Sequence, residues 1–296
     1  MLLSKIGKIA IPKTSLARIA FAGLGKIVDH TSKQLKMSLN SEQTASLLSF
    51  AEKIVSEVGQ GISDHFRNRS FSVLDKADGS PVTEADREAE AFLRNRIERK
   101  FPQDGIIGEE FGEKKGESDF VWVIDPIDGT QSFVHGVPLF GTLLGVLYRG
   151  KPVIGVINQP ILGRMVSGDN RTARMNGQPV SVREPRCLSE ATLLLTDPGD
   201  PLLLAGGERY LGLLDKAGFV RSWGDCFGYL SLTMGLADVM IDPVLNPWDL
   251  LPLLPILKGA GASVSDFAGG AAERGNSLVA SSCPALHQEV LRVLNG

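Results

Sequence analysis

Short apolar runs with strand character alternate with helix-period segments along nearly the whole chain, and this alternation constrains the fold most. The spacing predicts strands at Ala191–Thr196, Phe219–Ser222, Ala237–Ile241, Ser263–Ser265 and Ser277–Ala280. Between and after them it predicts helices at Gly206–Ala217, Asp225–Gly235, Trp248–Gly259 and Pro284–Leu294. Sheets built from such strands need helices on their faces, so the chain reads as a layered α/β (α+β) sandwich with a partly parallel sheet late in the sequence. Upstream, Leu47, Leu48, Ala51, Ile54, Val55 and Val58 recur at helical spacing within a helix from Ser41 to about Phe66. Phe71–Leu74 reads as a short strand, followed by a loop at 76–81. Thr83 is placed to cap a helix running to about Lys100, with Asp86 three residues on. Gly105–Gly108 and Phe120–Ile124 read as short buried strands.

The most apolar region, Leu139 to Ile161, is cut by Arg149-Gly150-Lys151-Pro152, which suits a hairpin of Phe140–Tyr148 and Pro152–Gln159 and not a spanning helix. Asn176-Gly177 marks another tight turn. Cys187, Cys226 and Cys283 lie far apart, which excludes a disulfide framework or zinc ribbon and suits a reducing, cytoplasmic setting. His30, His65, His135 and His287 form no close pair.

Charge is unevenly spread. Residues 1–36 carry seven Lys/Arg against Asp29, leaving 24 basic and 33 acidic side chains in residues 37–296. We therefore read 1–36 as a basic N-terminal extension and 37–296 as a single domain with an acidic body. The extension is Lys-rich and poor in Ser, unlike a targeting presequence. An interfacial helix at Ser15–Val28 and an appended tail ahead of a start near Met37 both stay open. Its Gly23-Leu24-Gly25-Lys26 lacks the full phosphate-loop pattern.

Four acidic features bear on function: Glu109 after Gly108, Asp125-Pro126-Ile127-Asp128-Gly129-Thr130, Asp86, and Asp249 after Trp248. Pro126 removes a ladder donor, so the preceding strand should stop there. Asp125 and Asp128 can then point to one side, while Gly129 permits close approach and Thr130 can open a helix whose free N–H groups face an anion. Carboxylates beside an anion site call for a hard cation between them, for which Mg²⁺ is suited. Each feature also has an ordinary structural reading, as a turn, a solvated pair or a helix cap.

Taken together, Gly108-Glu109-Glu110, Trp122 through Thr130, and Trp248-Asp249 with Gly259-Ala260-Gly261 resemble the inositol monophosphatase family, from about Ser41 to the C-terminus. The resemblance implies that family's fold of alternating helix and sheet layers and a Mg²⁺-dependent phosphomonoesterase. It implies that Glu109, Asp125, the Ile127 carbonyl, Asp128 and Asp249 hold two or three Mg²⁺ ions. It implies that the Gly129 and Thr130 N–H groups receive phosphate, and that the Thr130 hydroxyl, Asp86 and Glu109 orient and deprotonate the attacking water. A homodimer is the expected assembly and a small phosphate monoester the expected partner.

Gly129 to Phe133, Pro138 to Leu143, Asn158-Gln159-Pro160 and Gly224 to Tyr229 are similar to the family's histidinol-phosphatase branch. Asp225, Cys226 and Asp242 then fall at substrate-contacting positions, and two spare carboxylates suit the ammonium and imidazole of histidinol phosphate. Inositol-1-phosphate is the alternative. Asp225 as a helix cap, Asp242 as the start of an Asp-Pro turn and Cys226 as a packing residue remain open.

Two readings of other classes stand beside these. Gly224-Asp225-Cys226-Phe227-Gly228 with His287, and Asp238 or Asp249 as orienter, matches a thiol-hydrolase elbow. A basic tail could also make the chain a regulatory RNA- or protein-binding member of the same fold, although Phe21 is its single aromatic, so nucleic acid is not the expected partner.

Overall fold

A computed structural model describes residues 39–75, 81–184 and 186–296. The readings made for the N-terminal extension and for most of the loop at 76–81 lie outside the described residues. Described helices are α1 (Ser41–Asn68), α2 (Glu84–Lys100), α3 (Thr130–Val134), α4 (Pro201–Ala205), α5 (Glu208–Lys216), α6 (Asp225–Thr233), α7 (Pro247–Gly259) and α8 (Pro284–Asn295). Strands are β1 (Val73–Asp75), β2 (Pro81–Thr83), β3 (Gly105–Gly108), β4 (Gly112–Lys114), β5 (Phe120–Asp128), β6 (Gly141–Tyr148), β7 (Lys151–Gln159), β8 (Arg164–Gly168), β9 (Ala173–Met175), β10 (Gln178–Val180), β11 (Thr192–Leu195), β12 (Phe219–Arg221), β13 (Val239–Asp242), β14 (Ser263–Ser265) and β15 (Leu278–Ser281).

The larger sheet runs β10-β9-β8-β7-β6-β5-β3-β4, with β3 and β5 parallel and the other pairs antiparallel. The smaller runs β12-β11-β13-β15-β14 and is parallel across its first three strands. β1 and β2 form a separate hairpin pair.

Alternation along each strand sorts side chains into three layers of core. Leu144 and Val146 of β6 pack with Ile54, Val55 and Val58 of α1 and Leu93 and Ile97 of α2 on one face. Leu143 and Leu147 face the opposite way, into a core shared with α6, α7 and Leu194, Met240 and Ala280 of the smaller sheet. The other face of that sheet, through Leu193, Leu195 and Ile241, packs on α5 and α8. The order is helices, sheet, helices, sheet, helices, which is the layered sandwich the alternation predicts.

Helix α7 is held unusually close to the larger sheet. Gly145, Gly155 and Gly168 stand in register on β6, β7 and β8. A Cβ on Gly155 would lie 1.8 Å from the Pro252 carbonyl oxygen, and one on Gly168 would lie 2.6 Å from the Ile256 Cα. Backbone lies against backbone there, so no flexible side chain can give way. Both hairpin turns use two residues at positive φ, Arg149-Gly150 and Asn176-Gly177, as the strand twist requires.

One expectation needs correcting. β5 does not stop at Pro126 but continues to Asp128 across a register shift between Asp125 and Asp128. A bulge asks no ladder N–H of Pro126, and the Thr142 hydroxyl donates to the Pro126 carbonyl at 2.9 Å. The polar strands β4 and β8–β10 and the short α4 carry too little apolar periodicity to be seen in advance.

Gly155→Ala should destabilise the chain by about 1–3 kcal/mol or more, since it forces α7 off the sheet. A urea midpoint that falls with unchanged slope would show this; an unmoved midpoint would contradict the close-approach account.

Candidate active site

The bulge in β5 turns Asp125 and Asp128 to the same side of the strand end, where α7 delivers Asp249. One carboxylate oxygen from each of the three lies within 4.8 Å of the others. Asp249 occupies the third position of α7 and accepts the Asn246 N–H at 2.8 Å and the Asn246 side-chain amide at 3.2 Å. This reciprocal cap fixes the helix start, and the sequence signal for it, an Asn three residues before an acid, was available.

Burial pushes the Asp125 carboxyl well above the usual carboxylate range, and the charges of Glu109, Asp128 and Asp249 add to the rise. Burial does the same to Asp128, helped by Asp225 and Asp249. Asp125 Oδ1 is buried and makes no hydrogen bond among the described residues. Converging carboxylates with an orphaned oxygen are an unfavourable arrangement unless a cation or protons join them. All the donors are hard oxygens, so the residues fit a divalent cation of the Mg²⁺ type.

Glu109 follows β3, and its N–H donates to the Ile124 carbonyl at 3.2 Å, which sets it beside the residue that precedes Asp125. Thr130 opens α3 after Gly129, whose φ of 87° lies in the left-handed region. Any side chain on Gly129 would also meet Asp225 Oδ2 and the Leu139 carbonyl at 3.0 Å. The Thr130 hydroxyl sits 3.0 Å from the Ile127 carbonyl and 3.5 Å from Asp86 Oδ1. Asp86 caps its helix and also faces Thr130. Its Oδ2 accepts the Thr83 N–H at 2.7 Å and the Thr83 hydroxyl at 2.5 Å as a helix cap, while Oδ1 faces Thr130.

Asp225 is not the cap of α6. Gly224 holds that position without a side-chain bond, and Asp225 has φ of 50°, with its N–H donating to Thr196 Oγ1 at 2.9 Å. This left-handed start is a strained conformation for a non-glycine residue. It turns the carboxylate toward Gly129 and Asp249. Burial, with Asp249 adding, pushes Asp225 up to about 7.

Asp242 ends β13 and accepts the Tyr229 hydroxyl at 2.7 Å. Burial raises it to about 7, while hydrogen bonds from Thr196 and Tyr229 pull the other way. Asp128, Asp225, Asp249 and Asp242 together line a cavity of about 150 Å³. Cys226 is placed beneath this cluster. It is buried, its N–H donates to Asp128 Oδ2, and its thiol packs against Gly141.

Thr196, Asp197, Asp200 and Tyr229 also line the cavity, and sequence reasoning missed them. Asp197 and Asp200 follow a predicted strand end, and Tyr229 lies one helical turn beyond Asp225, so spacing could have found them. The thiol-hydrolase reading fails. Burial, reinforced by Asp128 and Asp225, holds the Cys226 thiol protonated. Both His287 nitrogens are engaged by Ser281 and Ser265, and Asp238 pairs with Arg183. Among the described residues no helix is long and apolar enough to cross a membrane.

The layered sheets thus bring Asp125, Asp128 and Asp249 together in an acidic pocket ready for a cation. Comparison with known proteins makes this specific. Residues 43–295 match the inositol monophosphatase family, and the chain belongs to it. It is 40% identical over 223 residues to a histidinol-phosphatase of Chlorobaculum parvum, an alignment covering 75% of this chain and 86% of that protein. A chloroplastic bifunctional phosphatase of Arabidopsis thaliana is 38% identical, over 80% of this chain and 71% of its own length. Among solved structures, an IMPase from Thermotoga maritima is 30% identical with a TM-score of 0.77, covering 84% of this chain and 97% of its own.

Of the raised carboxyls, Asp225 and Asp242, each pushed to about 7, contribute a pH dependence. In the metal-free folded chain Asp225 and Asp242 keep their protons up to about pH 7, whereas in the unfolded chain they lose them near pH 4. Over that window the folded state binds more protons, so stability contributed below pH 4 is lost as pH rises through 7. The unfolding temperature in EDTA should therefore fall between pH 5 and 8, less steeply in Asp225→Asn, and Mg²⁺ should oppose the fall. Identical slopes for the two proteins would contradict this account.

Proposed function

We propose that the chain is a Mg²⁺-dependent phosphomonoesterase that hydrolyses histidinol phosphate. One observation carries the substrate: two carboxylates, half-buried Asp225 and buried Asp242, line the same cavity as Asp128 and Asp249 and lie outside the Asp125, Asp128 and Asp249 cluster. They suit a leaving alcohol that carries an ammonium and an imidazole. The identity to a histidinol-phosphatase supports the reading. Inositol-1-phosphate is the second reading, favoured by the likeness to the Thermotoga maritima IMPase.

In this reading Glu109, Asp125, the Ile127 carbonyl, Asp128 and Asp249 hold two or three Mg²⁺ ions. When bound, such ions would supply Lewis-acid chemistry, lowering the pKa of water and offsetting the charge of the leaving alkoxide. The N–H groups of Gly129 and Thr130 receive the phosphate. The Thr130 hydroxyl donates toward Ile127 O or Asp86 Oδ1 and keeps a lone pair with which to accept a water proton in a hydrogen bond. Glu109 is the proton acceptor, and Asp86, held by Thr83, fixes Thr130. Cys226 serves through its N–H on Asp128. We further read residues 37–296 as one phosphatase domain with 1–36 as its extension, in a cytoplasmic homodimer. Light scattering at 31.8 kDa would contradict the dimer.

Comparing kcat/KM for histidinol phosphate and inositol-1-phosphate with Mg²⁺ tests the substrate, and a preference for the inositol ester would overturn it. Asp242→Asn should raise KM for histidinol phosphate more than for a neutral phosphate ester, whereas equal shifts would remove its assigned role. Asp128→Asn should keep the fold and lower kcat by about 100-fold or more, because a ligand charge goes while the shape stays. Near-normal turnover would refute the cation assignment.

A further inference from the structure

The turn that carries Glu109 is held by a side chain with no role in the reading above. Glu90 lies on α2, fully buried. Its carboxylate accepts the Glu110 N–H at 2.7 Å on Oε2 and the Phe111 N–H at 3.2 Å on Oε1. Oε1 also accepts Arg94 Nε at 2.7 Å, and the same guanidinium donates to the Gly112 carbonyl. On the other side of Glu109, Gly108 leaves no room for a side chain, because a Cβ there would lie 2.0 Å from Glu90 Oε1. Residues 108, 110, 111 and 112 are thus all fitted to one ion pair, while the Glu109 N–H is tied to β5.

Placement on the helix adds to this. Asp86 and Glu90 are four residues apart, so they share a face of α2. One meets Thr130 and the other meets the Glu109 turn. A lone buried carboxylate here would be an uncompensated charge. Paired with Arg94, it stiffens the turn without a net charge.

We propose that Glu90, neutralised by Arg94, is the positioning residue that aims Glu109 at the Asp125 cluster and thereby sets divalent-cation affinity. The proposal rests on the reading of Glu109 as a cation ligand. Glu90→Gln keeps the shape but replaces a carboxylate oxygen with an amide that cannot accept, so one donor of the turn loses its partner.

Calorimetric titration of Mg²⁺ into the metal-free full-length protein provides the test, with hydrogen exchange of the Glu110 and Phe111 amides read alongside. Glu90→Gln should weaken Mg²⁺ binding by about 10–100-fold, the usual scale for outer-shell partners of a metal ligand, with faster exchange at both amides. In a Glu109→Gln background the same change should cost less than about twofold, because coupled residues are non-additive. Wild-type Mg²⁺ affinity in Glu90→Gln beside an impaired Glu109→Gln would overturn the proposal alone. An equal loss in both backgrounds would also overturn it, since Glu90 would then act by another route. Wild-type affinity in Glu109→Gln would remove the reading of Glu109 and the proposal with it. Should Glu90→Gln fail to fold, Arg94→Gln leaves the backbone bonds to Glu90 in place but frees Gly112. It should shift affinity in the same direction by about threefold or more, and an unshifted value would overturn the proposal.

Discussion

Desolvation and mutual repulsion in a cluster of carboxylates, Asp125 buried and Asp128 and Asp249 half-buried, are together the constraint on which the rest of this molecule depends. Asp125, Asp128 and Asp249 are forced to within 4.8 Å of one another, and burial raises the first two well above their ordinary range. Such an arrangement opposes folding, so the scaffold that imposes it must be rigid. Backbone contact between α7 and the glycine row of β6, β7 and β8 supplies that rigidity. The helix cannot slide without driving the Pro252 carbonyl into Gly155, and Asp249 therefore stays where the bulge of β5 presents Asp125 and Asp128. Three cores on alternate faces of two sheets stabilise the stack, each buried aliphatic side chain contributing about 1.5–3 kcal/mol. Against that sum a strained acidic centre can be sustained.

How much of this was legible follows from which forces act locally. Helices α1 and α2 and the hairpin of β6 and β7 declared themselves because periodicity and turn residues are local signals. The acids 86, 109, 125, 128 and 249 were legible as a set, since strand ends and helix starts can be placed from such patterns. The path of β5 through Pro126 was not, because the rule against proline in a ladder holds only where the N–H is needed. Here a bulge removes the need, and Thr142, sixteen residues on, satisfies the carbonyl. The left-handed start at Asp225 was equally hidden. It depends on Gly224 lying against Thr196, where a Cβ would come within 2.2 Å of the Thr196 Cα, a contact between distant segments.

The glycine row shows the same limit from another side. Gly145, Gly155 and Gly168 look unrelated along the chain, separated by 10 and 13 residues, and only strand register brings them into line. Their requirement is for absence of a side chain, which no hydrophobic pattern records. Glu90 was illegible for a related reason. In sequence it is one more acid on a charged helix, and its partners, apart from Arg94, are backbone groups that any residue supplies.

The site thus divides its acids by what neutralises them. Glu90 has Arg94 as a permanent partner and can be buried outright. Asp86 is satisfied on one oxygen by the Thr83 cap, leaving the other for Thr130. Asp125, Asp128 and Asp249 converge, with an orphaned oxygen on Asp125, so a cation or protons must complete the group. Asp225 and Asp242 form the last class, near 7, where either a proton or a cationic group can balance the charge. An acidic body that looks unsuited to an anionic phosphate would become suited once cations occupied the Asp125, Asp128 and Asp249 cluster, because bound ions reverse the local field. On the proposed function, Asp225 and Asp242 would then favour a cationic alcohol end of the substrate, because the field there would stay negative.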